Sequence, residues 1–144
     1  MKAIMYHYVR EYKPELPKFR FLDIQNFRKQ LDYFDQKYGF VSRKDWDLVI
    51  KKKKLGAAEG KVVLTFDDSL SCHFDYVFPE LKKRNLWGIF YIPTQPYINS
   101  KMLDVHRVHL LCGAFDGPLL LNALYDFLEE DMISDSKIKN FRNK

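Results

Sequence analysis

Hydrophobic positions along the chain alternate between strand-like blocks and helical spacing. Residues 3–9 (Ala-Ile-Met-Tyr-His-Tyr-Val) form a short apolar and aromatic block that reads as a buried strand. A loop with Pro14 and Pro17 follows. Asp23 is a good N-cap for a helix over about 24–37, where Ile24, Phe27, Leu31 and Phe34 recur at helical spacing. Gly39 fits its C-terminal stop. Ser42 and Asp45 resemble a capping box. The helix they open runs through Trp46, Val49 and Ile50 into the lysines at 51–54, whose charge suits a helix C-terminus.

Gly56 and Gly60 bracket a turn before residues 61–67, the clearest strand in the chain. That segment is nearly all apolar, as a strand covered on both faces is. A helix is expected over about 74–84 with Val77, Phe78 and Leu81 inward. Pro79 falls inside that span, so the helix is kinked there or starts later. Residues 87–93 read as a third buried strand. The order β-α-α-β-α-β implies parallel strands with helical crossovers, hence an α/β fold. After Pro93 two short helices are expected, about 103–112 and 118–130, and the residues from 131 onward are polar and partly basic. No further strand is expected after Pro93.

Composition narrows the classes. The 144 residues are about one domain's worth, and 47% apolar with 16% aromatic residues excludes disorder and collagen-like repeats. No uncharged apolar run approaches the ~18 residues of a membrane span. The first residues are too short and polar a stretch for a signal peptide, so a soluble, cytoplasmic protein is expected. The net charge is +5, but four positive charges are the run at 51–54 and the rest is nearly balanced. That basicity is local and gives no support to a nucleic-acid partner. Cys72 and Cys112 make no CxxC pair, which excludes a disulfide scaffold or a four-cysteine zinc site. Nucleotide-binding glycine loops and the G-x-S-x-G elbow are absent. Asp67-Asp68 lacks the Asp-x-Asp arrangement of haloacid-dehalogenase-type phosphotransferases.

The strongest chemical feature is Thr65-Phe66-Asp67-Asp68-Ser69. A strand ends here in two adjacent carboxylates, and in α/β folds the C-terminal strand ends form the rim where ligands bind. Adjacent residues at a strand end point in different directions. One acid can then ligate a metal while the other holds a water and acts as a base. Equally, the two acids suit capping of the turn and helix that follow.

The segment 62–69 resembles the first motif of the polysaccharide deacetylase family (NodB-homology, carbohydrate esterase 4), which usually reads Thr-Phe-Asp-Asp-Gly. Its neighbours resemble that family in the same order. Residues 5–9 are similar to the opening strand, 78–81 to the Pro-x-Leu helix after the motif, and 88–93 to the next strand. The resemblance spans about 1–93. It implies an incomplete distorted (β/α) barrel of about three parallel strands with helical crossovers and a C-terminal helical segment. It also implies removal of N- or O-acetyl groups from sugars with a divalent metal, often zinc. Carried over, Asp67 is the general base and Asp68 a metal ligand, while Ser69 replaces a glycine that would take φ > 0 freely.

The family also supplies two histidines from a His-(Ser/Thr)-x-x-His motif. Here His106 and His109 stand three apart with Arg107 where Ser or Thr belongs, and neighbours at that spacing on a helix can ligate jointly. His106 follows Pro93 too closely for a crossover helix and a further strand. The competing reading takes 103–130 as a helical insertion, with the histidine motif lying beyond Lys144. His7, near the end of the first strand, is expected to reach the rim beside the two acids or to be a hydrogen-bonded core residue. His73 is expected at a helix start with little claim to function. The aromatics at 6, 8, 66, 74, 90 and 91 are expected mainly in the core, with sugar stacking as the alternative.

Two functions follow from the resemblance. One is a metal-dependent carbohydrate deacetylase, with 1–144 the N-terminal portion of a single domain acting on an acetylated carbohydrate. The other is a truncated, inactive module that binds a partner or self-associates as a homo-oligomer, because three strands leave an open edge.

Overall fold

Strand β4 (Val62–Phe66) is buried at every residue and lies in the middle of a three-stranded parallel sheet ordered β1-β4-β5. It is flanked by β1 (Lys2–Tyr6) and β5 (Ile89–Phe90). The computed structural model describes residues 1–128. These fall into two compact units, one of Met1–Pro14 with Arg20–Leu103, the other of Glu15–Phe19 with the described part of Asp104–Lys144.

In the first unit both faces of β4 are covered, as its apolar run requires. Val62, Leu64 and Phe66 pack with Ile24, Phe27 and Leu31 of α1 (Ile24–Lys37) and with Val77 and Leu81. Val63 faces the opposite way, to Val49 of α2 (Arg43–Lys52), Val41 and Ala58. Full burial of such a side chain contributes roughly 1.5–3 kcal/mol, so the two clusters carry most of the fold. The caps fall where the sequence puts them. Asp23 accepts from the Gln25 amide at 2.8 Å and Ser42 from the Asp45 amide at 3.0 Å. Trp87 closes the second cluster by donating its indole N–H to the Val41 carbonyl at 2.6 Å.

The outer strands differ from expectation. β1 buries only Tyr6, and Met5 is 59% exposed, because among the described residues β1 is an edge strand with no neighbour on one side. The third strand shrinks to Ile89–Phe90, since β5 is the other edge and pairs with β4 at two positions only. A two-residue parallel pair was not anticipated: β2 (Val9–Arg10) against β3 (Leu22–Asp23). Neither was α4 (Gln95–Asn99).

The helix is distorted near Pro79 rather than delayed: a π-helical turn (His73–Val77) runs directly into α3 (Phe78–Lys83), with Val77 and Phe78 both in right-handed helical backbone geometry and Pro79 at the head of α3. The Phe78 amide reaches back to the His73 carbonyl, the i→i+5 bond that defines the wide turn. Phe78 is therefore about half exposed rather than inward.

The second unit holds α5 (Asp104–Ala114) and α6 (Gly117–Phe127). Within it Lys18 donates its amide to the Gly113 carbonyl at 2.9 Å and pairs with Asp116. Gly113 is buried against Phe19, where a Cβ would come within 2.7 Å of that ring. The expected end of the last helix at 130 and the polar stretch from 131 lie outside the described residues. The described strands form an open three-stranded parallel sheet and a separate two-stranded one, not a closed barrel. Among the described residues no helix is long and apolar enough to cross a membrane.

Candidate active site

Asp67, Asp68 and Ser69 follow directly on the C-terminal end of β4, in the first unit. The Asp67 amide donates to the Tyr6 carbonyl at 3.0 Å, which extends the β1–β4 ladder by one step. Its Oδ1 is buried and accepts no hydrogen bond among the described residues. The chain then turns through two consecutive left-handed residues, Asp68 (φ +75°) and Ser69 (φ +50°). Such a conformation costs a non-glycine residue roughly 1–2 kcal/mol, and such strain clusters at functional sites. Ser69 thus adopts the backbone conformation that a glycine would take more cheaply. Its hydroxyl lies 3.2 Å from the Tyr97 hydroxyl on α4.

Register brings a histidine to the same place. Tyr6 pairs with Phe66, so His7 leaves β1 level with Asp67. His7 Nε2 stands 3.7 Å from Asp68 Oδ2, an ion-pair distance too long for a direct hydrogen bond. His7 is therefore at the rim, not in the core.

His73 lies at the start of the π-helical turn, at the helix start the sequence implies. It is buried, and its Nε2–H donates to the His7 carbonyl at 2.6 Å. Its ring lies edge-on to Phe66 and Phe90, with centroids 5.5 and 6.0 Å away. Burial pushes its pKa below the usual histidine value, so the ring is neutral at pH 7. The only sequence signal was its place five residues after Asp68. Burial, and then the nearby Asp68 charge, raise the Tyr8 phenol.

Beside the acids is a mostly apolar concavity of about 320 Å³, lined by Ser69, Leu70, His73, Phe74, Phe90 and Ile92 among others. Phe74 and Phe78 stack in parallel on its wall, with centroids 6.3 Å apart. Of the six aromatics singled out from sequence, Tyr6 and Phe66 are core. Phe90 and Tyr91 are exposed at the short edge strand β5, Phe74 is exposed on the π-helical turn, and Tyr8, between β1 and β2, is half-buried.

His106 and His109 belong to the second unit, one turn apart on α5, with ring centroids 6.4 Å apart. Among the described residues no three His, Cys, Asp or Glu side chains gather closely enough to hold a metal ion. Asp68 and His7 offer a carboxylate and an imidazole, the right ligand types for zinc. A catalytic zinc takes three protein ligands, so this pair alone falls one short.

No protein-family model matches the chain, and no curated protein does. Solved structures do. A de-N-acetylase from Aggregatibacter actinomycetemcomitans aligns at 23% identity over 69% of this chain, with a TM-score of 0.47. Streptococcus pyogenes deacetylase PplD, solved in complex with acetate, aligns at 24% identity over 77% of this chain, with a TM-score of 0.52. The chain spans 39% and 52% of the lengths of these two proteins. What it shares with the streptococcal protein is the fold: this mixed α/β chain, built on a parallel sheet, is deacetylase-like in architecture.

Proposed function

We propose that the chain is the N-terminal portion of a polysaccharide deacetylase domain of the NodB-homology type. Its reaction is hydrolysis of acetyl groups from N- or O-acetylated sugars, with a divalent metal, zinc by ligand type. The observation that carries this reading is the site at the end of β4: two adjacent acids on a strained turn, with His7 Nε2 3.7 Å from one of them. Strand ends of this kind are where α/β enzymes place their chemistry.

In this reading Asp67 is the general base and Asp68 a metal ligand. The buried, unbonded Asp67 Oδ1 is an acceptor free to take the proton of a water attacking the acetyl carbonyl. A divalent ion, when bound, polarises that carbonyl and lowers the pKa of its water toward ~7. His7 lies beside Asp68 as a further donor or a substrate contact. The remaining ligands are His106 and His109, or a histidine pair elsewhere in a longer protein with 103–130 as an insertion. Ala substitution of both histidines separates the two assignments by whether metal affinity falls.

The test is release of acetate from an N-acetylglucosamine oligomer in the presence of zinc or cobalt. Removing a positioned general base costs roughly 10²–10⁴-fold, so Asp67→Asn is expected to lose that much. Full activity in Asp67→Asn rejects the base assignment.

The second reading, a non-catalytic module that binds a partner or self-associates, is favoured by the uncovered end of the sheet. Phe90, Tyr91 and Ile92 are 38%, 54% and 60% exposed. Sedimentation showing a dimer, together with no acetate release, supports it.

A further inference from the structure

We infer that His73 is a positioning residue that holds His7 against Asp68; this deepens the reading above, on which the importance of the His7–Asp68 pair rests. His7 sits between strands. The β1 ladder ends at Tyr6 and the next strand pair begins at Val9. The His7 carbonyl is held instead by His73 Nε2 at 2.6 Å, a contact between residues 66 apart in sequence. A carbonyl only accepts, so the proton of the neutral His73 ring is on Nε2. The other nitrogen, Nδ1, is buried and makes no hydrogen bond among the described residues.

That arrangement is a poor choice for packing alone. A phenylalanine or leucine would fill the space between Phe66 and Phe90 without burying an unsatisfied nitrogen. What the histidine adds is a donor aimed at one backbone atom. Fixing that carbonyl fixes the Cα–Cβ direction of His7, and hence where its ring lies relative to Asp68. The connection is also local. Asp68 starts the turn that leads, five residues later, to His73. His73 returns to His7, and His7 returns to Asp68. One short segment therefore carries both the acid and the tether of its histidine partner. The Phe66 and Phe90 rings keep the tether from swinging.

The experiment is nitrogen-detected NMR of the histidine rings in the full chain at pH 8, without metal or substrate. Wild type is expected to show His73 as the neutral Nε2–H tautomer. Asp68→Asn is expected to shift the His7 ring signals. In His73→Phe that response to Asp68→Asn is expected to fall at least about threefold while the β4 amide signals stay in place. Outer partners that orient a site residue commonly change its function by 10–100-fold, so this is a modest demand. His73→Gln, whose amide N–H can replace the Nε2 donor, is expected to restore the response. His73→Leu is the second donor-free variant should the phenylalanine not fold. A His73 Nδ1–H tautomer, or an unchanged His7 response in a folded donor-free variant, overturns the inference. These readouts need no activity. A protein that releases no acetate counts against the deacetylase reading, and an unmoved His7 counts against this one.

Discussion

Tyr6 and Phe66 are register partners on adjacent parallel strands, and their rings stack with centroids 5.6 Å apart. Phe27 meets both rings, edge-on at 5.0 Å to Tyr6 and at 6.2 Å to Phe66. The cluster sits directly beneath the site, because the next residue on each strand is His7 or Asp67. Burial also lifts the Tyr6 phenol to about 12, while its hydroxyl donates to Gln30 at 2.8 Å. Phe66→Ala should therefore destabilise by about 3–5 kcal/mol, as aromatic truncation in a core does. Denaturant unfolding checks this; a loss under about 1 kcal/mol contradicts the packing described.

Gly88 lies over the same ring. A Cβ there would come within 2.6 Å of Phe66 Cε2 and 3.2 Å of the Leu64 carbonyl oxygen. Gly88→Ala is expected to cost about 1–3 kcal/mol through overpacking. Combined with Phe66→Leu, which removes the clashing ring edge, the cost should be less than additive. Strictly additive losses in a double-mutant cycle would place the strain elsewhere.

Glu80 is buried between two arginines, accepting from Arg84 Nε at 2.7 Å and Arg28 Nε at 2.8 Å. Burial alone would raise its carboxyl, but the hydrogen bonds and charges of Arg84 and Arg28 outweigh it and hold the pKa below the usual glutamate value. The unfolded chain therefore takes up this proton first as pH falls. The stabilisation is complete above the unfolded pKa of about 4.3 and is lost as pH drops through the folded value. Melting temperature should decline through that acid window, and less steeply in Glu80→Gln. Glu80→Ala at neutral pH should cost about 1–2 kcal/mol, because Arg84 keeps its Asp32 partner and both arginines are partly exposed to water. An acid profile identical to wild type in Glu80→Gln contradicts the assignment.

Ser69 holds φ +50° where glycine is cheaper. Ser69→Gly is expected to raise stability by up to about 1 kcal/mol, the strain it relieves less the entropy that glycine adds to the unfolded chain. A destabilised variant would instead give weight to the Ser69–Tyr97 contact.

The parts of the fold that sequence made legible are those fixed locally. Asp23 and Ser42 cap their helices because a short oxygen side chain satisfies the first free amides. The nearly continuous apolar run of β4 announced burial on both faces. What failed was non-local. Residues 3–9 and 87–93 look as apolar as β4, yet they lie at the sheet edges, and edge position depends on pairing rather than composition. Likewise Asp67 and Asp68 stood out by type, and His7 by its strand. The His73 tether could not be read, because it depends on a π-helical turn that folds residue 73 back over residue 7.

The central claim is that the acids at the end of β4 grip a divalent cation, and calorimetric titration of zinc or cobalt into the wild-type chain tests it most directly. One ion is expected to bind with a micromolar dissociation constant, and Asp68→Asn should weaken that binding by about 100-fold, the loss of one charged ligand (about 2.7 kcal/mol). No binding by wild type, or equal affinity in Asp68→Asn, would contradict the account.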